Sequence, residues 1–204
     1  MSNSNKDIII IPGMFDHLSE SPLQTVSQRL TENGFTVHTF QYSTDIHPST
    51  FKSVLSNLSM KIDAISHTGS RPIIIGHSFG AFLGLLTNKK CRASICLDIS
   101  LHPLQMFSTI VCRDGRCSWP TTIHSLPETL VKSANELQSV TEIMNSVTSK
   151  IYFIGACLAG AKISKQYYDL NPSISEYIEY PTDHNFKGYE NQVSDFILKQ
   201  TGLS

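Results

Sequence analysis

The pentapeptide Gly76-His77-Ser78-Phe79-Gly80 sets one hydroxyl between glycines placed two residues before and two after it. In the Gly-x-Ser-x-Gly pattern a strand turns abruptly into a helix and presents the serine as a nucleophile at the turn. A Cβ at either glycine position would crowd that turn. A chance match somewhere in 204 residues has a probability of roughly 7%, so the flanks must decide. They do: the apolar run 72–75 leads straight into the motif and the apolar segment 79–86 leaves it at helical spacing. At the start of that helix the Phe79 N–H points where an oxyanion would form. A second donor is expected from the loop after the first strand, Pro12-Gly13-Met14-Phe15, with the Met14 N–H as the candidate. Phe15 and His17 stand there as pocket residues, although a plain strand-ending turn and a surface histidine remain open for this loop.

A serine nucleophile needs a base, and position separates the eight histidines. His184, in Thr182-Asp183-His184-Asn185-Phe186, follows the last predicted strand and precedes the last helix, so its loop can reach over the sheet edge to Ser78. His77 adjoins the serine but must point away from it and is expected under the turn. His38, His47, His67 and His124 read as ordinary strand, loop, helix and insert positions, and His102 stays open. The orienting acid is harder to place. The loop 155–161, after the penultimate strand, is a common place for it and holds no carboxylate, whereas Asp98 ends the apolar run 95–97 one strand earlier. An aspartate there needs a partner, because an unpaired buried carboxylate is costly, and the His184 ring N–H would supply one. Asp183 is the rival.

Strand-like runs at 8–11, 35–42, 72–75, 93–97, 151–154 and 174–180 alternate with helical spacing at 23–30, 51–65 and 79–86 and near Val193, Phe196 and Ile197. This predicts an α/β fold: an open, mostly parallel sheet of about six strands with helices on both faces, in one domain spanning 1–204. Residues 101–147 exceed a single crossover and are expected to form a cap. They carry the only tryptophan, Trp119, as a candidate substrate contact, with a tolerated solvated insertion as the alternative.

A formal charge of −1 offers no basic field for nucleic acid or an anionic membrane, so a small, weakly charged substrate fits better. The apolar run at 8–11 is too short for a signal core, and no stretch is long enough for a stable membrane insertion. Five cysteines without a regular framework point to free thiols and a reducing, cytoplasmic setting. Cys112 and Cys117 flank an Arg-Asp-Gly-Arg turn and could pair or bind metal, yet no second cysteine or histidine pair lies at zinc spacing, so free thiols are the expectation and neither metal nor cofactor is expected.

The motif 76–80, the segment Cys96-Leu97-Asp98-Ile99-Ser100-Leu101-His102-Pro103 and the terminal Asp183-His184-Asn185-Phe186 together resemble the platelet-activating-factor acetylhydrolase-like branch of the α/β-hydrolases. That branch also carries its acid one strand early. The resemblance implies an α/β-hydrolase fold with Ser78, Asp98 and His184 as the triad and Met14 and Phe79 as oxyanion donors; nothing precedes the first buried strand, so a minimal form without the leading antiparallel strands of larger relatives is expected. A pocket formed between a small core domain and a modest apolar cap is expected to take a carboxylic ester of short or medium acyl chain, hydrolysed through an acyl-enzyme. Thioester hydrolysis, acyl transfer and a non-catalytic ligand-binding role on the same fold are the alternatives.

Overall fold

The isoleucine run at 8–11 lies in β1 (Asp7–Ile11), and every one of those four side chains is buried. Ile8 and Ile10 enter one hydrophobic layer while Ile9 and Ile11 enter the other, as the two-residue period of a strand buried on both faces requires. β3 (Ile73–His77) repeats the pattern, with Ile73 and Ile75 in one layer and Ile74 in the other. A computed structural model describes residues 6–15, 22–42, 50–66, 71–120 and 124–202.

These strands belong to a parallel six-stranded sheet of order β2-β1-β3-β4-β8-β9, completed by β2 (Thr36–Thr39), β4 (Ala93–Leu97), β8 (Lys150–Gly155) and β9 (Ser175–Glu179). Pairing is parallel throughout. α1 (Leu23–Glu32) and α8 (Glu190–Gln200) cover the face of Ile8 and Ile10 through Leu23, Val26, Leu30, Val193 and Ile197. α2 (Phe51–Ser66), α3 (Phe79–Leu86) and α7 (Leu158–Leu170) cover the other face. The chain runs from β1 outward to β2 and returns to β3 on β1's other side. The carboxyl ends of β1 and β3 therefore meet at a topological switch point, where open α/β sheets hold their ligands.

Between β4 and β8 the chain builds α4 (Pro103–Met106), an antiparallel sheet of β5 (Val111–Arg113), β6 (Arg116–Ser118) and β7 (Leu126–Pro127), then α5 (Glu128–Ser133) and α6 (Val140–Ser146). The small sheet is not apparent from hydrophobic periodicity, because its strands have only two or three residues. Its hairpin turns on Asp114 and Gly115 at φ 49° and 75°, the left-handed pair that two-residue hairpins favour. That register sets Cys112 directly across from Cys117 with their Cα atoms 4.0 Å apart, and the two form a disulfide rather than the expected free thiols. The expectation of a reducing compartment loses the support it drew from them. No helix of the described residues is long and apolar enough to cross a membrane.

Candidate active site

Ser78 adopts φ 53° and ψ −118°, a left-handed conformation that only the surrounding structure can hold. β3 enters it, α3 leaves it, and the Ser78 N–H donates to the Leu97 carbonyl of β4 at 2.9 Å. A Cβ on Gly76 would lie 2.4 Å from the Gly80 carbonyl, and one on Gly80 would lie 2.2 Å from the Ile11 carbonyl and 2.3 Å from that of Pro12. The second glycine thus lets the turn press against the end of β1, where the loop 12–15 begins. Phe79, buried, opens α3; the first N–H groups of a helix have no partner inside it, so they face the sheet's carboxyl edge. Half-buried Met14 follows β1 in a turn, and Phe15 beside it takes φ 71°.

Asp98 follows β4 at φ 43° with 1% exposure. Its Oδ2 receives the His184 Nδ1–H at 2.5 Å, and its Oδ1 accepts the Ala156 N–H at 2.9 Å. The Cys157 thiol donates to Oδ2 at 3.6 Å while its sulfur accepts the Gly160 N–H at 3.4 Å, capping α7. A Cβ on Gly160 would fall 2.0 Å from Oδ1, so this glycine opens the space the carboxylate fills. The loop 155–161, which carries no acid of its own, is therefore the cradle for the acid of the neighbouring strand. Sequence reasoning missed Cys157 and Gly160 because the pairing of β4 with β8 brings them to Asp98 from about 60 positions away. Nearby, burial raises the pKa of the Tyr177 hydroxyl, with Glu179 and then Asp98 adding to it; it stays protonated and donates to Glu179 Oε2 at 2.8 Å.

His77, buried at the end of β3, has a partner across the loop. Its Nε2–H donates to the His184 carbonyl at 2.9 Å, and the two rings lie 4.6 Å apart. The residue preceding Ser78 thus ties the His184 loop to the Ser78 turn. Asp183 turns away from the imidazole, its Oδ1 accepting the Asn185 and Lys187 N–H groups at 3.0 Å each. His102 caps α4, accepting the Leu104 N–H at 3.2 Å and donating to the Gln138 carbonyl at 3.0 Å, which makes it a pin within the insert. His38 pairs with Asp7 at 3.0 Å.

Phe15 and Trp119 meet edge-on with centroids 6.4 Å apart, and Trp119 leans on Phe107 at 5.9 Å. His124, expected to be an ordinary insert position, stacks on Phe15 at 4.4 Å. Together these rings bring the insert against the loop after β1. His17, expected to join Phe15, lies outside the described residues, as do His47 and His67. Ligand-type atoms of Asp98, Cys157 and His184, drawn from three segments, lie within 4.8 Å of one another.

No protein-family profile matches the chain. No curated protein matches it. Solved structures do. Est1E from Butyrivibrio proteoclasticus superposes with TM-score 0.77 at 18% identity, covering 95% of this chain and 87% of that one. Mouse alpha/beta hydrolase domain-containing protein 10 gives 0.72 at 16% identity, covering 95% and 90%. Paleococcus ferrophilus monoacylglycerol lipase gives 0.72 at 10%, covering 96% and 93%. At such identities the likeness speaks for architecture, and with the parallel six-stranded sheet it shows that the chain has the α/β-hydrolase fold.

Proposed function

We propose that the protein is a serine hydrolase of small carboxylic esters, with Ser78, His184 and Asp98 as its triad. One observation carries the reading: the buried Asp98 holds the His184 Nδ1–H at 2.5 Å while the same histidine is tied through His77 to the strained Ser78 turn. The Ser78 hydroxyl attacks the ester carbonyl as its proton passes to His184 Nε2. The N–H groups of Phe79 and Met14 receive the oxyanion. His184 returns the proton to the departing alkoxide, and water repeats the cycle on the acyl-enzyme. Asp98 fixes the tautomer and stabilises the imidazolium without leaving its cradle. No step calls for a metal.

Residues 101–147 act as a cap in this reading, and Phe15 and Trp119 form an aromatic wall suited to a short or medium acyl chain. The acid's position after β4 favours the acetylhydrolase-like branch. A p-nitrophenyl ester panel of increasing chain length, run in EDTA beside a fluorophosphonate probe, tests the proposal. The expected outcome is hydrolysis with a length optimum and a single labelled serine, both abolished in Ser78→Ala. Labelling that persists in Ser78→Ala would place the nucleophile elsewhere, and a well-folded protein that neither labels nor hydrolyses would be a binding protein on this fold.

A further inference from the structure

We infer that Asp98, Cys157 and His184 form an inhibitory site for a thiophilic divalent cation of the zinc class, an inference that rests on the triad reading for its effect on activity. The three side chains offer a carboxylate oxygen, a sulfur and an imidazole nitrogen, the donor types that zinc takes. All three atoms lie within 4.8 Å of one another. Tetrahedral zinc, with bonds of about 2.0 Å to O and N and about 2.3 Å to S, needs donor separations of roughly 3.3–3.6 Å. Asp98 Oδ2 and Cys157 Sγ already stand 3.6 Å apart. The 2.5 Å contact between Oδ2 and His184 Nδ1 must open by a little under 1 Å, roughly the gap to that zinc spacing. The imidazole can make this movement because its side chain is 45% exposed, whereas the carboxylate is fully enclosed. Asp98 keeps its Oδ1 bond to the Ala156 N–H, so the fixed ligand stays fixed. The half-exposed Cys157 and exposed His184 leave a path from solvent and room for water as a fourth ligand.

The chemistry explains why such an ion would inhibit. In the working enzyme neutral His184 carries its proton on Nδ1, facing Asp98, and keeps the Nε2 lone pair for Ser78. A cation on Nδ1 requires that proton to move to Nε2, and coordination of the thiolate releases the Cys157 proton to water. The balance is one cation bound and one proton released, with no redox change. Nε2 then bears a proton and cannot accept one from Ser78. The cation thereby pins the unproductive tautomer and takes the carboxylate that would have corrected it.

The test uses the whole protein with its disulfide intact, in a buffer that does not chelate. Zn2+ at about 10 µM should lower ester hydrolysis at least about tenfold, with recovery on adding EDTA, while Mg2+ and Ca2+, which prefer all-oxygen sites, should have no effect. Co2+ should give a thiolate-to-metal charge-transfer band, a readout independent of activity. Cys157→Ser keeps a small hydrogen-bond donor beside Asp98; measured against its own metal-free rate, it should lose zinc sensitivity and the cobalt band together. The other free thiols, Cys91 and Cys96, are buried and should not contribute. Equal inhibition of wild type and Cys157→Ser, or no band and no inhibition in the wild type, overturns the inference. A band in a protein that hydrolyses no ester keeps the metal set and overturns the hydrolase reading instead.

Discussion

Asp98 is almost fully enclosed, and donors reach both of its oxygens: Ala156 N–H on Oδ1, and His184 Nδ1–H and the Cys157 thiol on Oδ2. An enclosed carboxylate without such donors would cost several kcal/mol. Asp98→Asn keeps the shape, but its amide favours the wrong histidine tautomer and supplies no charge for the imidazolium. In a comparable triad that exchange costs about 10⁴-fold in kcat, or roughly 5 kcal/mol of transition-state stabilisation, and a loss of this order with little change in KM is expected here. Asp183→Asn should cost about tenfold or less, since an amide oxygen can still accept the Asn185 and Lys187 N–H groups. Steady-state kinetics on one activated ester compares the two. A large loss at Asp183 with a small one at Asp98 would overturn the acid assignment. Strain follows the same geography. Of the described non-glycine residues with positive φ, Phe15, Ser78, Asp98 and Phe186 all lie at or within two residues of the proposed site, and the fifth, Asp114, is a hairpin turn. Each costs on the order of 1–3 kcal/mol, which the packed strands behind them must offset.

The loop from β8 into α7 is the element that holds the Asp98 carboxylate. In the sequence it reads as a gap, because it lacks the carboxylate expected there; in the fold its Ala156 N–H, Cys157 thiol and Gly160 face the carboxylate of the adjacent strand. Small residues are needed for that approach. Gly160→Ala would place a methyl 2.0 Å from Asp98 Oδ1, in the first turn of a 13-residue helix whose backbone cannot yield cheaply. The carboxylate is the softer partner, so it should swing off its hydrogen bonds and release His184. A fall in kcat of about 100-fold with a near-native circular dichroism spectrum is expected, since displacing a group that positions the base is costly even where the chemistry's own residues are intact. Leu158→Ala, 91% exposed at the start of the same helix, should leave short-ester turnover unchanged. If the two variants behave alike, the loop does not position the acid.

At the scale of the whole molecule, what could be read in the sequence was whatever is encoded locally. The isoleucine runs of β1 and β3, the glycines around Ser78 and the helical spacing of Leu23, Val26 and Leu30 all lie within one element, so they predicted the sheet and its turn. The cradle of Asp98, the tie from His77 to the His184 carbonyl and the stacking of His124 on Phe15 depend on segments that only the completed fold brings together. The insert belongs to the second kind as well. Its Phe107, Leu126, Leu130, Ile143 and Met144 join the same hydrophobic cluster as Ile9, Ile74 and Phe82 of the sheet and its helices. A segment that shares its core with the sheet has no independent stability to fall back on, so it should unfold with the sheet as one cooperative unit. Trp119, the single tryptophan, sits in the insert against Phe107, donates to the Met106 carbonyl at 3.2 Å and meets Phe15 of the loop after β1, so its fluorescence reports on the insert and on its seat against that loop. Far-UV circular dichroism reports mainly on the large sheet and its helices. Urea titrations followed by both probes should give one midpoint and one slope, because the loss of either partner exposes the apolar face of the other. An insert that acts as a separately folded lid would instead lose its tryptophan signal at lower urea while the sheet's signal persisted, and the insert would then be a domain of its own.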